Sequence, residues 1–242
     1  MRILYVVLIF VFLLMLYLLY LYFTQKRSLT TTHPAKASIT IDESKLEKTN
    51  NVSNCTYSIW FNISDWNYRY GEEKILFRRD NNDGDPAIMA SFDALQNNIN
   101  VELMTYSITD VTGAGSGAPK PPKPVSYLCG VDNIPLQRWV NLLISIYGRS
   151  LDIYIDGKLV RTCALPGLAD VSSNKPVIIT PDGGFDGFTS KFSYYSSPTN
   201  PQQAWNIYKQ GFGGSMLGSL FNRYRIKVSF LDNNITKSSY EF

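Results

Sequence analysis

The first 23 residues contain an uninterrupted run of uncharged, largely apolar residues, from Ile3 to Phe23. At ~1.5 Å per residue, a helix of this length crosses a hydrocarbon core of roughly 30 Å. A cleaved signal peptide is the alternative, but its apolar region is usually about 7 to 15 residues long and ends at small residues. This run ends in Tyr22 and Phe23. We therefore expect residues 1–25 to be a transmembrane anchor and the chain to be a single-pass membrane protein.

The charges that flank the run leave its orientation open. Arg2 and the free amine precede it and Lys26, Arg27 and Lys36 follow it, which weakly favours a cytoplasmic C-terminal domain. Four N-x-S/T sequons favour a lumenal or outside domain instead, although an Asn- and Ser-rich chain also produces sequons by chance. These candidate glycosylation sites are Asn51, Asn54, Asn62 and Asn234.

The rest of the chain divides into a polar segment and one domain. Residues 26–53 are rich in Thr, Ser and Lys without a sustained apolar period, which predicts a solvated stalk. Residues 54–242 suit one domain, and the aromatic content of 14% favours strands because flat rings pack well on a pleated sheet. The net charge of +3 comes from scattered basic residues, so nucleic acid is not an expected partner.

Short alternating segments predict a β-rich fold. Residues 56–63 place Tyr57, Ile59, Phe61 and Ile63 on one face, which is typical of a half-buried strand. Asn200 followed by Pro201 predicts a helix N-terminus and a short helix that ends near Gly211. We expect about ten strands and one short helix in an all-β sandwich or jelly roll. Further strands are predicted at 74–79, 87–92, 99–106, 125–131, 176–180, 188–195 and 224–230.

The clearest local pattern is a pair of hairpins in the middle of the chain. Residues 139–147, 151–155 and 158–163 read as three strands, separated by the turns Gly148-Arg149 and Asp156-Gly157. Asp-Gly between alternating apolar residues is a strong hairpin signal because both turn positions need positive φ.

The segment that contains these hairpins resembles the laminin-G-like jelly rolls of the concanavalin A-like superfamily. Their recurrent pattern is a Trp that opens a strand, a short turn, an apolar strand that ends in Tyr-x-Asp-Gly, and a return strand. Trp139, Tyr154, Asp156 and Gly157 match this pattern. Residues 57–61 also resemble the opening strand of such domains. The resemblance implies a concanavalin A-like jelly roll, a fold shared by lectins, adhesion modules and glucanases.

A second resemblance concerns the setting of the domain. The N-terminal anchor and the segment 200–215 together resemble membrane-anchored proteins of large DNA viruses. This resemblance implies a virion protein that links a membrane to a capsid or displays the domain on the particle.

The residues available for catalysis are few. The only histidine, His33, lies in the predicted stalk, which excludes Ser-His-Asp and Cys-His catalysis and His-based zinc sites in the domain. The Glu-x-Asp-x-x-Glu run of laminarinase-type enzymes does not occur, and Asp152 and Asp156 are better explained as a solvent-facing acid and a turn residue. We therefore expect a non-enzymatic protein without a cofactor.

Three features remain candidates for binding or stabilisation. The loop with Asp80, Asn82, Asp83 and Asp85 offers candidate calcium ligands, although an ordinary acidic turn explains it as well. Trp66, Tyr68 and Tyr70 could stack on sugars or lie in the core. Cys129 and Cys163 flank the hairpins and could form a disulfide or remain separate thiols, and Cys55 would then be left free or pair between chains.

The functional hypothesis is a membrane-anchored binding or structural module that contacts a protein, such as a capsid or surface protein, or a glycan. The alternative is a membrane-bound lectin for attachment or adhesion. Arg138, Arg149 and Lys158, with the Gly- and Pro-rich loop 109–124, are the first places in which to look for a partner.

Overall fold

The computed structural model describes most of the chain as two α-helices, one 3-10 helix (Glu43–Lys45) and fifteen strands. The described residues are 2–24, 28–48, 53–107, 124–170, 175–213, 227–232 and 235–241. The α-helices are α1 (Arg2–Thr24) and α2 (Pro201–Lys209). The strands are β1 (His33–Pro34), β2 (Ile39–Ile41), β3 (Cys55–Asp65), β4 (Lys74–Asp80), β5 (Pro86–Phe92), β6 (Ile99–Ser107), β7 (Pro124–Val131), β8 (Trp139–Tyr147), β9 (Ser150–Ile155), β10 (Lys158–Ala164), β11 (Gly167–Ala169), β12 (Val177–Ile179), β13 (Asp186–Tyr195), β14 (Lys227–Asp232) and β15 (Ile235–Glu241).

Helix α1 carries apolar side chains at each position whose side chain is described. Its described side chains are those of Tyr5 and residues 8–19, and each of them is at least 41% exposed. Among the described residues as a whole, no helix combines the length and the apolarity needed to cross a membrane.

Two antiparallel sheets pack face to face around one core. The six-stranded sheet has the order β1-β13-β3-β8-β9-β10, and the seven-stranded sheet has the order β11-β6-β5-β4-β12-β2, with β7 paired to β6. The alternation predicted for β3 is confirmed, since Tyr57, Ile59, Phe61 and Ile63 are all buried in the core. The expected all-β sandwich with one short helix beside it is therefore confirmed.

The polar stalk predicted over residues 26–53 is wrong for part of its length. Strand β1 pairs with β13 and β2 pairs with β12, so this segment adds an edge strand to each sheet. Ala35, Ile41 and Leu46 are buried against the core. The sandwich therefore begins well before residue 54. The strands were missed because two or three residues are too short to show an apolar period.

Helix α2 lies on the outer face of the six-stranded sheet. Asn200 caps it as predicted, because its side chain accepts from the Gln203 N–H while the Gln203 side chain accepts from the Asn200 N–H. Ala204 is buried against Leu143 and Tyr154 of the sheet. Helix α2 therefore covers the part of this face around Leu143 and Tyr154.

The strand predicted at 224–230 is confirmed from Lys227 onwards, but its predicted place in the core sandwich is wrong. Strand β14 begins at Lys227 and pairs with β15, and these two strands form a separate two-stranded sheet.

Candidate functional site

Loops from both sheets meet at the end of the sandwich where β3 ends and β4 begins. Residues 66–73 join β3 to β4, residues 93–98 join β5 to β6, and residues 180–185 join β12 to β13. We call these three loops the end-loop surface. Loops 66–73 and 180–185 each cross from one sheet to the other, whereas loop 93–98 joins the neighbouring strands β5 and β6. The three loops lie at the same end because β5 and β12 are antiparallel to β4 and end beside its first residues.

Arg69 ties the first of these loops to the third. Its Nη1 donates to the backbone carbonyls of Asp182 and Gly184, and its Nε forms an ion pair with Glu72 at 2.8 Å. The Tyr68 hydroxyl adds a bond to the Gly183 carbonyl at 3.2 Å. Loops 66–73 and 180–185 are therefore held in a defined arrangement by contacts of their own residues.

The second loop is tied to the first and is braced internally. The Gly71 N–H donates to the Ala94 carbonyl at 3.1 Å. The Asp93 carboxylate accepts from the N–H groups of Leu95 and Gln96, both at 2.9 Å, and these bonds lower its pKa. The end-loop surface is thus preorganised, which reduces the entropy that a ligand must remove on binding.

The three aromatic residues predicted to be sugar-stacking candidates differ in availability. The Trp66 ring packs edge-on against Phe92, and Lys74 Nζ lies 4.7 Å from the centre of the Trp66 ring. The Tyr68 ring carries Lys36 Nζ at the same distance. Tyr70 is 61% exposed. Of these three rings, Tyr70 offers the most free surface to a ligand.

The cations at this end are engaged by nearby groups. Lys36 forms an ion pair with Asp186 at 2.9 Å, and the hydrogen bond to this carboxylate raises the pKa of Lys36. Burial lowers the pKa of Lys74, and repulsion from Arg69 adds to this effect. The positive charges therefore serve contacts within the surface.

A second aromatic group lies beside α2 and was not recognised as a group in the sequence, where only Trp139 was identified as part of the hairpin pattern. The Trp60 ring stacks on Tyr208 with centroids 5.5 Å apart, and the Trp139 ring stacks on Phe212 at 4.4 Å. We call these four residues the covered aromatic cluster. Trp60 is only 5% exposed. The sequence alternation places Trp60 and Trp139 on the outer face of their sheet, but only the folded chain shows that α2 and Phe212 cover them.

The hairpin turn predicted at Asp156 and Gly157 is confirmed. Both residues have positive φ, 52° and 74°. The Asp156 carboxylate accepts from the Asn141 N–H at 2.9 Å and pairs with Arg138. A Cβ on Gly157 would lie 2.9 Å from the Tyr208 Cβ. Helix α2 therefore packs directly against this turn.

The loop with the candidate calcium ligands is organised by Asn81. The Asn81 side chain accepts from the N–H groups of Asp83 and Asp85, at 2.9 and 3.0 Å. The Asp80 carboxylate receives two bonds from Arg78, at 2.7 and 3.1 Å. In the part of the chain that the structure describes, no group of three acidic, His or Cys side chains is arranged to hold a metal ion. Calcium binding by Asp80, Asn82, Asp83 and Asp85 remains a prediction.

The predicted disulfide between Cys129 and Cys163 is confirmed, with Cα atoms 6.3 Å apart. It joins β7 at the edge of one sheet to β10 at the edge of the other. Cys55 is a free thiol buried in the core, and burial raises its pKa to about 12. Such a thiol is neither ionised nor accessible for pairing between chains.

Two of the four sequons lie in the described part of the chain. Asn54 accepts from the Gly148 N–H at 2.9 Å and so braces the turn between β8 and β9. Asn62 is half-buried in β3. Asn51 and Asn234 lie outside the described residues, and glycosylation of any of the four remains a prediction.

The basic residues near the hairpins do not form one free surface. Arg138 pairs with Asp156, and Arg149 donates to the carbonyls of Leu165 and Pro166. Lys158 is exposed at the start of β10. The adjoining loop predicted at 109–124 lies outside the described residues except for its last residue, where β7 begins.

His33 lies in β1 rather than in a stalk. Its Nδ1 lies 3.0 Å from the carbonyl of the next residue, and its backbone pairs with Thr189. Asp152 accepts from the Thr162 hydroxyl at 2.7 Å. Asp152 and Asp156 therefore both make local structural contacts.

Solved structures that match this chain include receptor-binding domains of botulinum neurotoxins. The serotype D ligand-binding domain in complex with N-acetylneuraminic acid has a TM-score of 0.50 and 15% identity, over 75% of this chain and 42% of that chain. The serotype G receptor-binding domain has a TM-score of 0.46 and 18% identity, over 75% of this chain and 46% of that one. The match thus spans less than half of each neurotoxin domain. At these identities the similarity concerns the fold alone.

Comparison with protein families identifies the chain more directly. No match to a curated protein was found. Residues 34–204 match the family model described as the concanavalin A-like lectin/glucanases superfamily, and this match begins at β1 and ends within α2. The match agrees with the sandwich, its two sheets and the hairpin pattern around Trp139. This chain therefore belongs to the concanavalin A-like lectin/glucanases superfamily.

Proposed function

We propose that this chain is a membrane-tethered, non-enzymatic binding protein whose end-loop surface binds a glycan. Membership of the superfamily does not set the function, because its members include both binding proteins and enzymes. The observation that carries the proposal is the exposure of Tyr70 on loops that are already braced by Arg69 and Tyr68.

The chemistry of tyrosine suits this role. An aromatic ring offers a flat apolar face for the C–H face of a sugar and a hydroxyl for its polar groups. A tyrosine side chain also has few rotatable bonds, so little conformational entropy is lost when a ligand orders it. The neighbouring N–H and carboxylate groups of the loops can supply further hydrogen bonds to sugar hydroxyls.

The test is an array of immobilised glycans probed with the full chain in detergent. Replacing Tyr70 by Ala should weaken binding by about tenfold, since an aromatic contact is worth about 1 kcal/mol or slightly more. Tyr147 is the matched control, because it is 66% exposed at the opposite end of β8. Tyr147→Ala should leave binding unchanged. Equal effects of the two substitutions, or no selective glycan binding by the wild-type chain, would overturn the proposal.

The proposed tether is the run from Ile3 to Phe23. Support comes from α1, whose described side chains are apolar and exposed, as expected of a helix whose surroundings are apolar. Full-length protein should stay with liposomes in alkaline carbonate. A variant with Phe12→Lys and Leu16→Lys should be released, because each buried charge costs about 3 kcal/mol near the bilayer centre. Retention of that variant would contradict a spanning helix.

The absence of catalysis is also part of the proposal. It is supported by the structural contacts of Asp152 and Asp156. His33 lies in edge strand β1 and therefore no longer supports it by lying outside the domain. The full chain should not hydrolyse β-glucans. Turnover that a single carboxylate substitution abolishes would show an enzyme instead. A place in a virus particle, between membrane and capsid, remains a prediction that protein analysis of purified particles would test.

A further inference from the structure

Carboxylates outnumber cations around Tyr70. The count covers the charged side chains of the end-loop surface and of the strand residues next to it. It also includes Lys36, which contacts this surface. The cations are Lys36, Arg69 and Lys74, and the carboxylates are Asp65, Glu72, Glu73, Asp93, Asp182 and Asp186.

The cations have little charge left for a ligand. Lys36 is paired with Asp186 and also feels the charge of Asp65. Arg69 is paired with Glu72 and uses Nη1 for the backbone of loop 180–185. As described above, Lys74 lies against the Trp66 ring.

Four of the carboxylates have no ion pair within the described part of the chain: Asp65, Glu73, Asp93 and Asp182. Asp65 and Asp93 accept backbone N–H groups, which hold these carboxylates in place without cancelling their charge. Asp182 acts electrostatically on Arg78, but Arg78 is already bound to Asp80 through two bonds. The end-loop surface and the residues that adjoin it therefore carry a net negative charge.

We propose that the end-loop surface selects neutral glycans and rejects glycans that end in a carboxylate, an inference that rests on the glycan-binding function proposed above. A terminal carboxylate placed beside Tyr70 would meet fixed negative charges without a free cation to compensate them. Two like charges 4 Å apart repel by about 1 to 4 kcal/mol between bulk water and a protein surface. A repulsion of this size corresponds to a preference of about fivefold or more for the neutral glycan over the glycan that ends in a carboxylate.

The experiment compares one glycan in two forms, ending in galactose or extended by N-acetylneuraminic acid, with the full chain in detergent. The galactose form should bind at least fivefold more tightly in low salt, and high salt should reduce this ratio because exposed charges are screened. Asp182→Asn should reduce the ratio about threefold. Asparagine tolerates the positive φ of 56° at this position, so the turn is preserved. Glu43→Gln, which removes the same charge from an exposed residue just after β2, at the opposite end of the sandwich, should leave the ratio unchanged.

The outcomes separate the two proposals. Tyr70-dependent binding that is equal or tighter for the sialylated form would overturn the selectivity and leave glycan binding intact. A preference for the neutral form that ignores both salt and Asp182→Asn would also overturn it, since the cause would not be charge. No Tyr70-dependent binding to either form would remove glycan binding itself and this inference with it.

Discussion

The covered aromatic cluster and the end-loop surface use the same residue types for opposite purposes. In the cluster, Trp60 and Trp139 lie on the outer face of a sheet, and Tyr208 and Phe212 stack on them, which leaves Trp60 only 5% exposed and Trp139 half-buried. In the end-loop surface, Tyr70 stays 61% exposed on a loop that other residues hold in place. The difference shows that an aromatic side chain is available to a ligand only where no later segment of the chain packs on it.

The test with the largest expected effect removes one aromatic ring from each region. Trp60→Ala should lower the free energy of unfolding by about 3 to 5 kcal/mol, because it leaves a cavity under α2. Tyr70→Ala should change it by less than about 0.5 kcal/mol, as expected of an exposed side chain. Urea unfolding of the full chain in detergent, followed by circular dichroism, measures both. Similar losses for the two variants would mean that the regions do not differ as described.

A second test uses two glycines that share a left-handed backbone. Gly157, with φ of 74°, lies against α2, whereas Gly71, with φ of 82°, has no heavy atom within 4 Å of its would-be Cβ. Alanine at either position should cost about 1 to 2 kcal/mol for the backbone. Gly157→Ala should cost about 1 to 3 kcal/mol more, because its Cβ would displace Tyr208. Equal unfolding free energies for the two variants would show that α2 does not press on this turn.

The same contrast separates the features that the sequence predicts from those that only the fold shows. Local patterns predicted the hairpin at Asp156 and Gly157, the cap at Asn200 and the buried face of β3, because each depends on neighbours in sequence. The edge strand β1 and the cover over Trp60 depend on contacts between distant segments, for which the sequence carries no period or motif. Trp66, Tyr68 and Tyr70 were identified as a group, but their different exposure follows from Phe92, Lys74 and Lys36, which only the fold brings near.

A third test loosens the end-loop surface without touching the core. Arg69→Ala removes the donors that reach the carbonyls of Asp182 and Gly184. Bonds to charged groups are worth about 1.5 to 3 kcal/mol, so amide exchange in loop 180–185 should speed up about tenfold or more. Arg161→Ala, at an exposed position in β10, is the control. Unchanged exchange in loop 180–185 would mean that Arg69 does not brace it.

The smallest expected effect is the pH dependence that Asp93 adds to the end-loop surface. Bonds from the N–H groups of Leu95 and Gln96 lower the pKa of this carboxyl, so the unfolded chain binds a proton at higher pH than the folded one. The stabilisation is therefore fully present above about pH 4, the ordinary value for aspartate, and is lost as pH falls through the lowered pKa. Solvent screens the group, so the effect should stay below about 1 kcal/mol. Between pH 6 and pH 3, the wild-type chain should lose more unfolding free energy than Asp93→Asn by this amount. An equal loss in both proteins would show that the two backbone bonds do not hold the loop.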